Sequence, residues 1–148
     1  MTMTTSTREE IKVESMTIRF VIEGAQSAGS VAMFEFDVPA GVGIAGAHSH
    51  DGYDETIYVL EGALTWTIDG TPTEVGANEA VLIPRGAVHS FENRGEVDAK
   101  ALAVVTPGIL GPEFFREVGA ILDAAAGGPP DLAALGAVMR KHGLTPAP

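Results

Sequence analysis

The sequence contains no cysteine, few basic residues and no long apolar run. Because cysteine is absent, disulfides, thiolate zinc sites and cysteine nucleophiles are excluded, and any metal site must use nitrogen and oxygen ligands. Nine basic residues stand against twenty acidic ones, and the formal net charge of -11 repels nucleic acid and anionic membrane surfaces. No apolar stretch reaches the roughly 18 residues that a membrane span requires. We therefore expect neither nucleic acid nor a membrane as a partner.

The composition is that of a folded protein. The 148 residues are 45% hydrophobic and 20% charged, which suffices for one domain with a real core. The first fifteen residues have neither the basic start nor the apolar middle of a signal peptide. We therefore expect a cytoplasmic protein with a flexible lead-in over residues 1–15.

Residues 16–107 are dominated by short stretches in which apolar and polar residues alternate. In "VAMFEFDV", Phe34 and Phe36 alternate with Glu35 and Asp37, which predicts a half-buried strand. Further strands are predicted at TIRFVI, TIYVLEG, ALTWTIDG, EAVLIP, VHSFEN and AKALAVVTP, and "IDGTP" is typical of a hairpin turn. Strands this short and this evenly spaced predict an all-β sandwich or barrel.

Residues 108–148 have the pattern of a helical C-terminal extension. Pro112 suits a first helical turn, and apolar residues follow it at spacings of three and four as far as a glycine pair, which predicts an amphipathic helix. We expect it to pack on the barrel surface or on a partner subunit, with a lid over a pocket as the alternative. A second helix is predicted near Asp131, with the buried positions Leu132, Leu135 and Val138 or Met139. The residues after Gly143 are expected to form a loose tail.

The stretch "AHSHDGYDETIYVLEG", residues 47–62, places two of the chain's four histidines one residue apart. In a strand, His48 and His50 project to the same side. Inside a barrel, a metal ion would satisfy one nitrogen of each ring, whereas at an exposed strand end such a pair is ordinary polar surface. The pair alone does not decide between these two interpretations.

Two more residues favour a metal site. Glu55 follows His50 after a loop rich in Asp and Gly that can turn the chain back, and "PRGAVHSFEN" supplies His89 further on. The fourth histidine, His142, lies among basic residues at a predicted helix end. The helix dipole accounts for a cation there, so we leave His142 out of the site.

These residues resemble the two short motifs of the cupin superfamily. The first motif has the form G-x5-H-x-H-x3 or 4-E-x6-G, and its matching positions here are His48, His50, Glu55 and Gly62. The second has the form G-x5-P-x-G-x2-H-x3-N, and its matching positions are Pro84, Gly86, His89 and Asn93. The leading glycine of each motif is displaced, to Gly41 or Gly43 and to Gly76, which affects turns outside the ligand set. The resemblance covers roughly residues 30–106.

The resemblance implies a double-stranded β-helix, the jelly-roll cupin barrel, followed by two short C-terminal α-helices. It also implies one divalent metal held by His48, His50, Glu55 and His89 at the barrel mouth. Three imidazoles and a carboxylate suit Fe, Ni, Mn, Cu, Co or Zn, and are too rich in nitrogen for Mg or Ca. The barrel and its helical tail look like single-domain, quercetin-dioxygenase-like cupins, and by analogy with single-domain cupins we expect a homodimer.

Three functions are compatible with this site. The first is a dioxygenase-like enzyme that binds a small chelating or enolisable substrate and uses O2, with Glu55 as ligand and proton acceptor. The second is a non-oxidative isomerase or C–C lyase in which the ion acts only as a Lewis acid. The third is a small-molecule binding module. We expect the first.

Several neighbours of the motifs have two interpretations each. Tyr53 and Asp54 could orient a ligand or lie in a solvated loop, and Trp66 could be core or a substrate platform. Arg85 is expected to be a surface charge rather than an anion-binding group. Phe91 and Asn93 share a face with His89 in a regular strand, and a structural role is expected for both.

Overall fold

The computed structural model describes residues 8–44 and 46–148. The described chain forms two antiparallel sheets that enclose the core, with strand orders β1-β2-β3-β10-β5-β8 and β11-β4-β9-β6-β7. The strands are β1 (Ile11–Val13), β2 (Met16–Ile22), β3 (Ala32–Val38), β4 (His48–His50), β5 (Asp54–Glu61), β6 (Ala63–Ile68), β7 (Thr71–Gly76), β8 (Ala80–Ile83), β9 (His89–Glu92), β10 (Ala99–Thr106) and β11 (Leu144–Pro146), and the helices are α1 (Pro112–Ala124) and α2 (Leu132–Lys141). A 3-10 turn spans Gly24–Ser27. Within the described residues, no helix is long and apolar enough to cross a membrane.

The alternating sequences form the strands that the pattern predicts. In β3 the buried positions alternate along the whole strand, and β10 pairs with it in antiparallel register with Ala101 opposite Phe36. Strands β6 and β7 are joined at Asp69 and Gly70, which both have positive φ. Positive φ at both central residues is the geometry that suits a two-residue hairpin between twisted strands. The all-β prediction for this part of the chain is confirmed.

Both ends of the chain add strands that the sequence did not predict. Residues 1–7 lie outside the described residues. Ile11–Val13 form β1 and pair with β2, so the prediction of a flexible lead-in is wrong for these three residues. The loose tail is also wrong, because Leu144–Pro146 form β11 against β4. Three-residue strands carry too little periodicity to be recognised from one sequence.

The two predicted helices are present. Helix α1 begins at Pro112, and α2 begins after Asp131, whose carboxylate accepts a hydrogen bond from the Ala134 amide at 3.0 Å. Leu135 is buried as expected, whereas Leu132 is 75% exposed, so its predicted burial is wrong. Helix α1 packs against β1 at Gly119, where a Cβ atom would lie 2.5 Å from the Lys12 carbonyl oxygen. The helix therefore sits on the barrel close to the N-terminal strand.

Candidate metal centre

Three histidines from two neighbouring strands converge inside the barrel. His48 and His50 lie on β4, and β4 pairs with β9 so that His48 is opposite His89. The ring centroids are 5.2 Å apart for His48 and His50, 4.6 Å for His48 and His89, and 4.4 Å for His50 and His89. One ligand nitrogen of each ring lies within 4.8 Å of the others. Alternation along one strand and pairing with the next thus bring together residues about forty positions apart.

Burial keeps these imidazoles neutral. It lowers the pKa of His48 to about 3 and of His50 to about 2, and the neighbouring His89 lowers the pKa of both further. Burial lowers the pKa of His89 as well. The His89 Nδ1–H donates a hydrogen bond to the Ala87 carbonyl at 3.0 Å, which leaves Nε2 of the neutral ring with a free lone pair. Neutral imidazole is the form that ligates metals.

The cluster fits a transition-metal ion. The Nδ1 atoms of His48 and His50 are buried and have no hydrogen-bond partner in the described part of the chain. Unpaired buried polar atoms are unfavourable, so this arrangement is costly for a purely structural core. Three nitrogen donors favour Fe, Ni, Mn, Cu, Co or Zn over Mg or Ca.

Glu55 lies in the same cavity but outside the three-histidine group. It is on β5, in the sheet opposite to the histidines, and is 7% exposed. Its carboxylate does not belong to the set of atoms that lie within 4.8 Å of one another. Burial raises the pKa of Glu55 to about 8, so this carboxyl is mostly protonated at neutral pH in the metal-free chain. It can donate a proton to a ligand in the cavity and take one back.

Tyr53 belongs to the interior. Its side chain is fully buried, so the solvated-loop alternative is wrong for this residue. The ring stacks on His50 at a centroid distance of 4.4 Å and an interplanar angle of 22°. Asp54 lies at the surface instead, where its carboxylate pairs with Arg85. That pair confirms the interpretation of Arg85 as a surface charge.

The histidines open into an apolar cavity of about 150 Å³. Trp66, Phe91 and Phe36 form the wall beside them, so Trp66 is at once core and pocket wall. The C-terminal segment supplies a large part of the remaining wall: Phe114, Phe115, Val118 and Leu122 from α1, Leu135 and Met139 from α2, and Leu144 from β11. Helix α1 therefore packs on the barrel surface, as expected, and also forms part of the pocket wall.

Two predicted neighbours have structural roles. Asn93 is buried, donates from Nδ2 to the carbonyls of Val38 and Val97, and accepts from the Gly95 amide. It therefore fixes the turn after β9. His142 caps α2, and its Nε2 lies 3.4 Å from a Glu117 carboxylate oxygen. It is not part of the three-histidine cluster.

The sequence missed the contributions of the C-terminal segment to the site. The adjacent pair Phe114 and Phe115 was a usable signal, because two consecutive aromatic residues widen the apolar face of a helix. Leu144 follows Gly143 and lies in a stretch too short to show a period. Nothing local indicated that it pairs with the strand that carries His48 and His50.

Comparisons with known proteins agree with this geometry. Residues 34–105 match a family model described as "Cupin domain". Among solved structures, a predicted oxalate decarboxylase from Thermotoga maritima matches with a TM-score of 0.61 at 23% identity, over 68% of this chain and 92% of that one. This likeness concerns the fold alone. The predicted cupin fold is confirmed.

Curated relatives are matched over shorter spans. The tetracenomycin polyketide synthase protein TcmJ of Streptomyces glaucescens is 33% identical over 67 residues, which are 45% of this chain and 45% of that protein. Quercetin 2,3-dioxygenase of Bacillus subtilis is 33% identical over 72 residues, which are 49% of this chain and 21% of that protein. The chain thus spans less than half the length of either relative. Because the matches extend over proteins of several kinds, they do not single out the narrower quercetin-dioxygenase-like subgroup.

Proposed function

We propose that this cupin domain is a metal-dependent enzyme, dioxygenase-like, that acts on a small chelating or enolisable organic substrate. The observation that carries the proposal is the cluster of three neutral imidazoles, with ligand nitrogens within 4.8 Å of one another, at an apolar cavity. His48, His50 and His89 would hold one divalent transition metal, and Glu55 would be the fourth ligand or the proton acceptor. When bound, such an ion would polarise a chelating substrate, and a redox-active ion would also allow its reaction with O2.

The surrounding residues support chemistry that requires protection from water. Apolar side chains line most of the cavity beside the histidines, which would limit the access of water to a bound substrate. Glu55 lines the same cavity, so the ionised form of its side chain can take a proton from an enolisable carbon or hydroxyl of the substrate. The similarity to quercetin 2,3-dioxygenase also favours oxygen chemistry.

A second candidate is a non-oxidative isomerase or lyase. Its support is the raised pKa of Glu55, about 8, because a carboxyl that exchanges protons near neutral pH suffices for enolisation around a Lewis-acid metal. The similarity to a polyketide synthase protein is compatible with this class. A binding module without turnover is the third candidate.

Metal content tests the proposed ligands. We expect the wild type to bind about one zinc ion per chain, and His89→Ala to bind it at least roughly tenfold more weakly, because one of three nitrogen donors is lost. His142→Ala is the matched control, since it removes the histidine outside the cluster and should leave zinc affinity unchanged. The measurement is zinc titration with elemental analysis, and circular dichroism checks the fold. Undiminished zinc binding by His89→Ala would refute the site.

Oxygen uptake separates the candidate reactions. The Fe(II)-loaded protein is mixed with acetylacetone, a small chelating and enolisable diketone, in an oxygen electrode. Oxygen consumption equal to diketone loss supports the dioxygenase-like reaction. Deuterium exchange at the central carbon by the zinc-loaded protein, without oxygen uptake by the iron form, supports the non-oxidative one. Neither oxygen uptake nor exchange, despite diketone binding, would favour a binding module.

A further inference from the structure

The cavity at the histidines lacks any cationic wall. None of the described residues that line it is a lysine or an arginine, and its acidic residues are Glu14 and Glu55. An anionic group on a ligand would therefore be buried without a counter-charge other than the metal, which is strongly unfavourable. Neither Glu14 nor Glu55 supplies a positive charge. The cavity should therefore bind a ligand poorly if the part of the ligand away from the histidines carries a carboxylate or a phosphate.

A row of aromatic rings forms one wall of the cavity. Five of the chain's six phenylalanines line it, together with the single tryptophan. The ring centroids of Phe115 and Phe34 are 5.0 Å apart, those of Phe36 and Phe91 are 5.5 Å apart, and those of Phe91 and Trp66 are 4.6 Å apart. The row runs from α1 to the histidines. Edges and faces of aromatic rings pack well against another planar ring.

The volume of the cavity limits the ligand. An apolar protein cavity of about 150 Å³ is large enough for one benzene ring, and the cavity here has about that volume. A ligand of two fused rings exceeds this volume, so its second ring would either lie outside the cavity or displace α1 or α2. The available space therefore corresponds to a compound with one six-membered ring or an acyclic compound of that size.

From the charge of the cavity lining, its aromatic wall and its volume, we infer that the site takes an uncharged ligand of about one ring. The apolar body of this ligand lies along the row of phenylalanines, and its polar end reaches the histidines. This inference rests on the proposed function for the polar end, where the metal would bind. The charge and size of the body follow from the cavity wall alone. Helix α1 is a main determinant of this specificity, through Phe115 and Val118.

Four probes, each with two adjacent hydroxyl groups on an aromatic ring, test the inference on the zinc-loaded protein. They are catechol, 4-methylcatechol, 3,4-dihydroxybenzoate and 2,3-dihydroxynaphthalene, and quenching of Trp66 fluorescence reports their binding. We expect 4-methylcatechol to bind at least as tightly as catechol, and 3,4-dihydroxybenzoate to bind about tenfold more weakly or worse. The carboxylate makes the hydroxyls more acidic, which favours chelation. Weaker binding of 3,4-dihydroxybenzoate would therefore be caused by the cavity wall and not by weaker chelation. The two-ring probe should bind more weakly than catechol despite its larger apolar surface.

A charge introduced on α1 gives a second test. Val118→Lys places an ammonium group on the cavity wall and should restore binding of 3,4-dihydroxybenzoate relative to 4-methylcatechol. Ala120→Lys is the matched control, because Ala120 is an exposed residue of the same helix and does not line the cavity. It should leave the order of the probes unchanged. The wild-type comparison decides the matter even where Val118→Lys does not fold.

The outcomes separate the inference from the proposed function. Equal binding of the carboxylate and methyl probes would overturn the uncharged ligand, and tighter binding of the naphthalene than of catechol would overturn the one-ring limit. A protein that retains no zinc would contradict the proposed function instead. In that case the same order of probes on the metal-free protein still supports the inference, and the reverse order overturns it.

Discussion

The C-terminal strand should be essential to the site, and Leu144→Ala tests this. Leu144 is 1% exposed, lies opposite His50 in the pairing of β11 with β4, and lines the cavity. Strand β4 pairs with β11 at three positions, whereas on its other side its pairing with β9 is the single pair His48 and His89. Strand β4, which carries His48 and His50, is therefore held in place largely by its pairing with β11.

The expected cost follows from burial. Truncation of a buried leucine to alanine destabilises proteins by about 3 to 5 kcal/mol, because transfer free energy is lost and a void remains. Leu144 already borders a cavity on one side, so it has fewer contacts to lose. We therefore expect a value near the lower end, about 3 kcal/mol, which is a large share of a total stability of about 5 to 15 kcal/mol.

Urea unfolding of the metal-free protein, followed by circular dichroism, measures this cost. Thr145→Ala is the control on the same strand: the residue is exposed, and its hydroxyl donates to an Asp51 carboxylate oxygen at 2.8 Å. It should change stability by about 0.5 kcal/mol or less. Zinc affinity should fall for Leu144→Ala and stay constant for Thr145→Ala. A loss below about 1 kcal/mol for Leu144→Ala would refute the docking of β11 in the core.

Backbone geometry and pH give two further predictions. Gly62→Ala should destabilise the protein more than Gly70→Ala in urea unfolding: both residues have positive φ, but a Cβ at Gly62 would lie 2.7 Å from the Asp98 carbonyl oxygen while Gly70 faces open space. A difference of about 1 to 3 kcal/mol is expected, and equal losses would contradict the close contact. The metal-free protein should be most stable near pH 6.5 in thermal melts across pH. Below the ordinary histidine pKa of 6.5, His48 and His50 bind protons in the unfolded chain but stay neutral in the folded chain, where they are buried. The free energy of unfolding therefore falls with falling pH. Above 6.5, the unfolded chain keeps Glu55 ionised while the folded chain holds its proton up to about pH 8, so stability falls with rising pH. A melting temperature that rises steadily from pH 6.5 to 8 would contradict the burial of Glu55.

The histidine cluster could be predicted from the sequence because its spacing is local. His48 and His50 share a face through the period of a single strand, and His89 starts a second short strand with a recognisable motif. The barrel follows from alternation in the same way, as in β3 and β10. Such patterns report which side of an element is buried.

The sequence of a helix or strand does not indicate which other element it packs against. The amphipathic period of α1 predicts a buried face, but it does not distinguish the barrel surface from the mouth of the pocket. Tyr53 stands in a polar stretch, and its burial follows from stacking on His50, a contact made only in the folded chain. Strand β11 is three residues long, and it pairs with β4, which lies about a hundred residues earlier.

Apart from Tyr53, the site residues that the sequence analysis missed lie outside the span that matches the cupin domain. The histidines lie in the span that matches the cupin domain, residues 34–105, whereas α1, α2 and β11 lie outside it. The matched span therefore carries the groups that would hold a metal, and much of the wall that any ligand must touch comes from the unmatched segment. Similarity in the motifs thus predicts coordination chemistry but not the ligand. Because Phe114, Phe115 and Leu144 lie outside the matched span, the apolar wall that they build has to be tested on this chain itself.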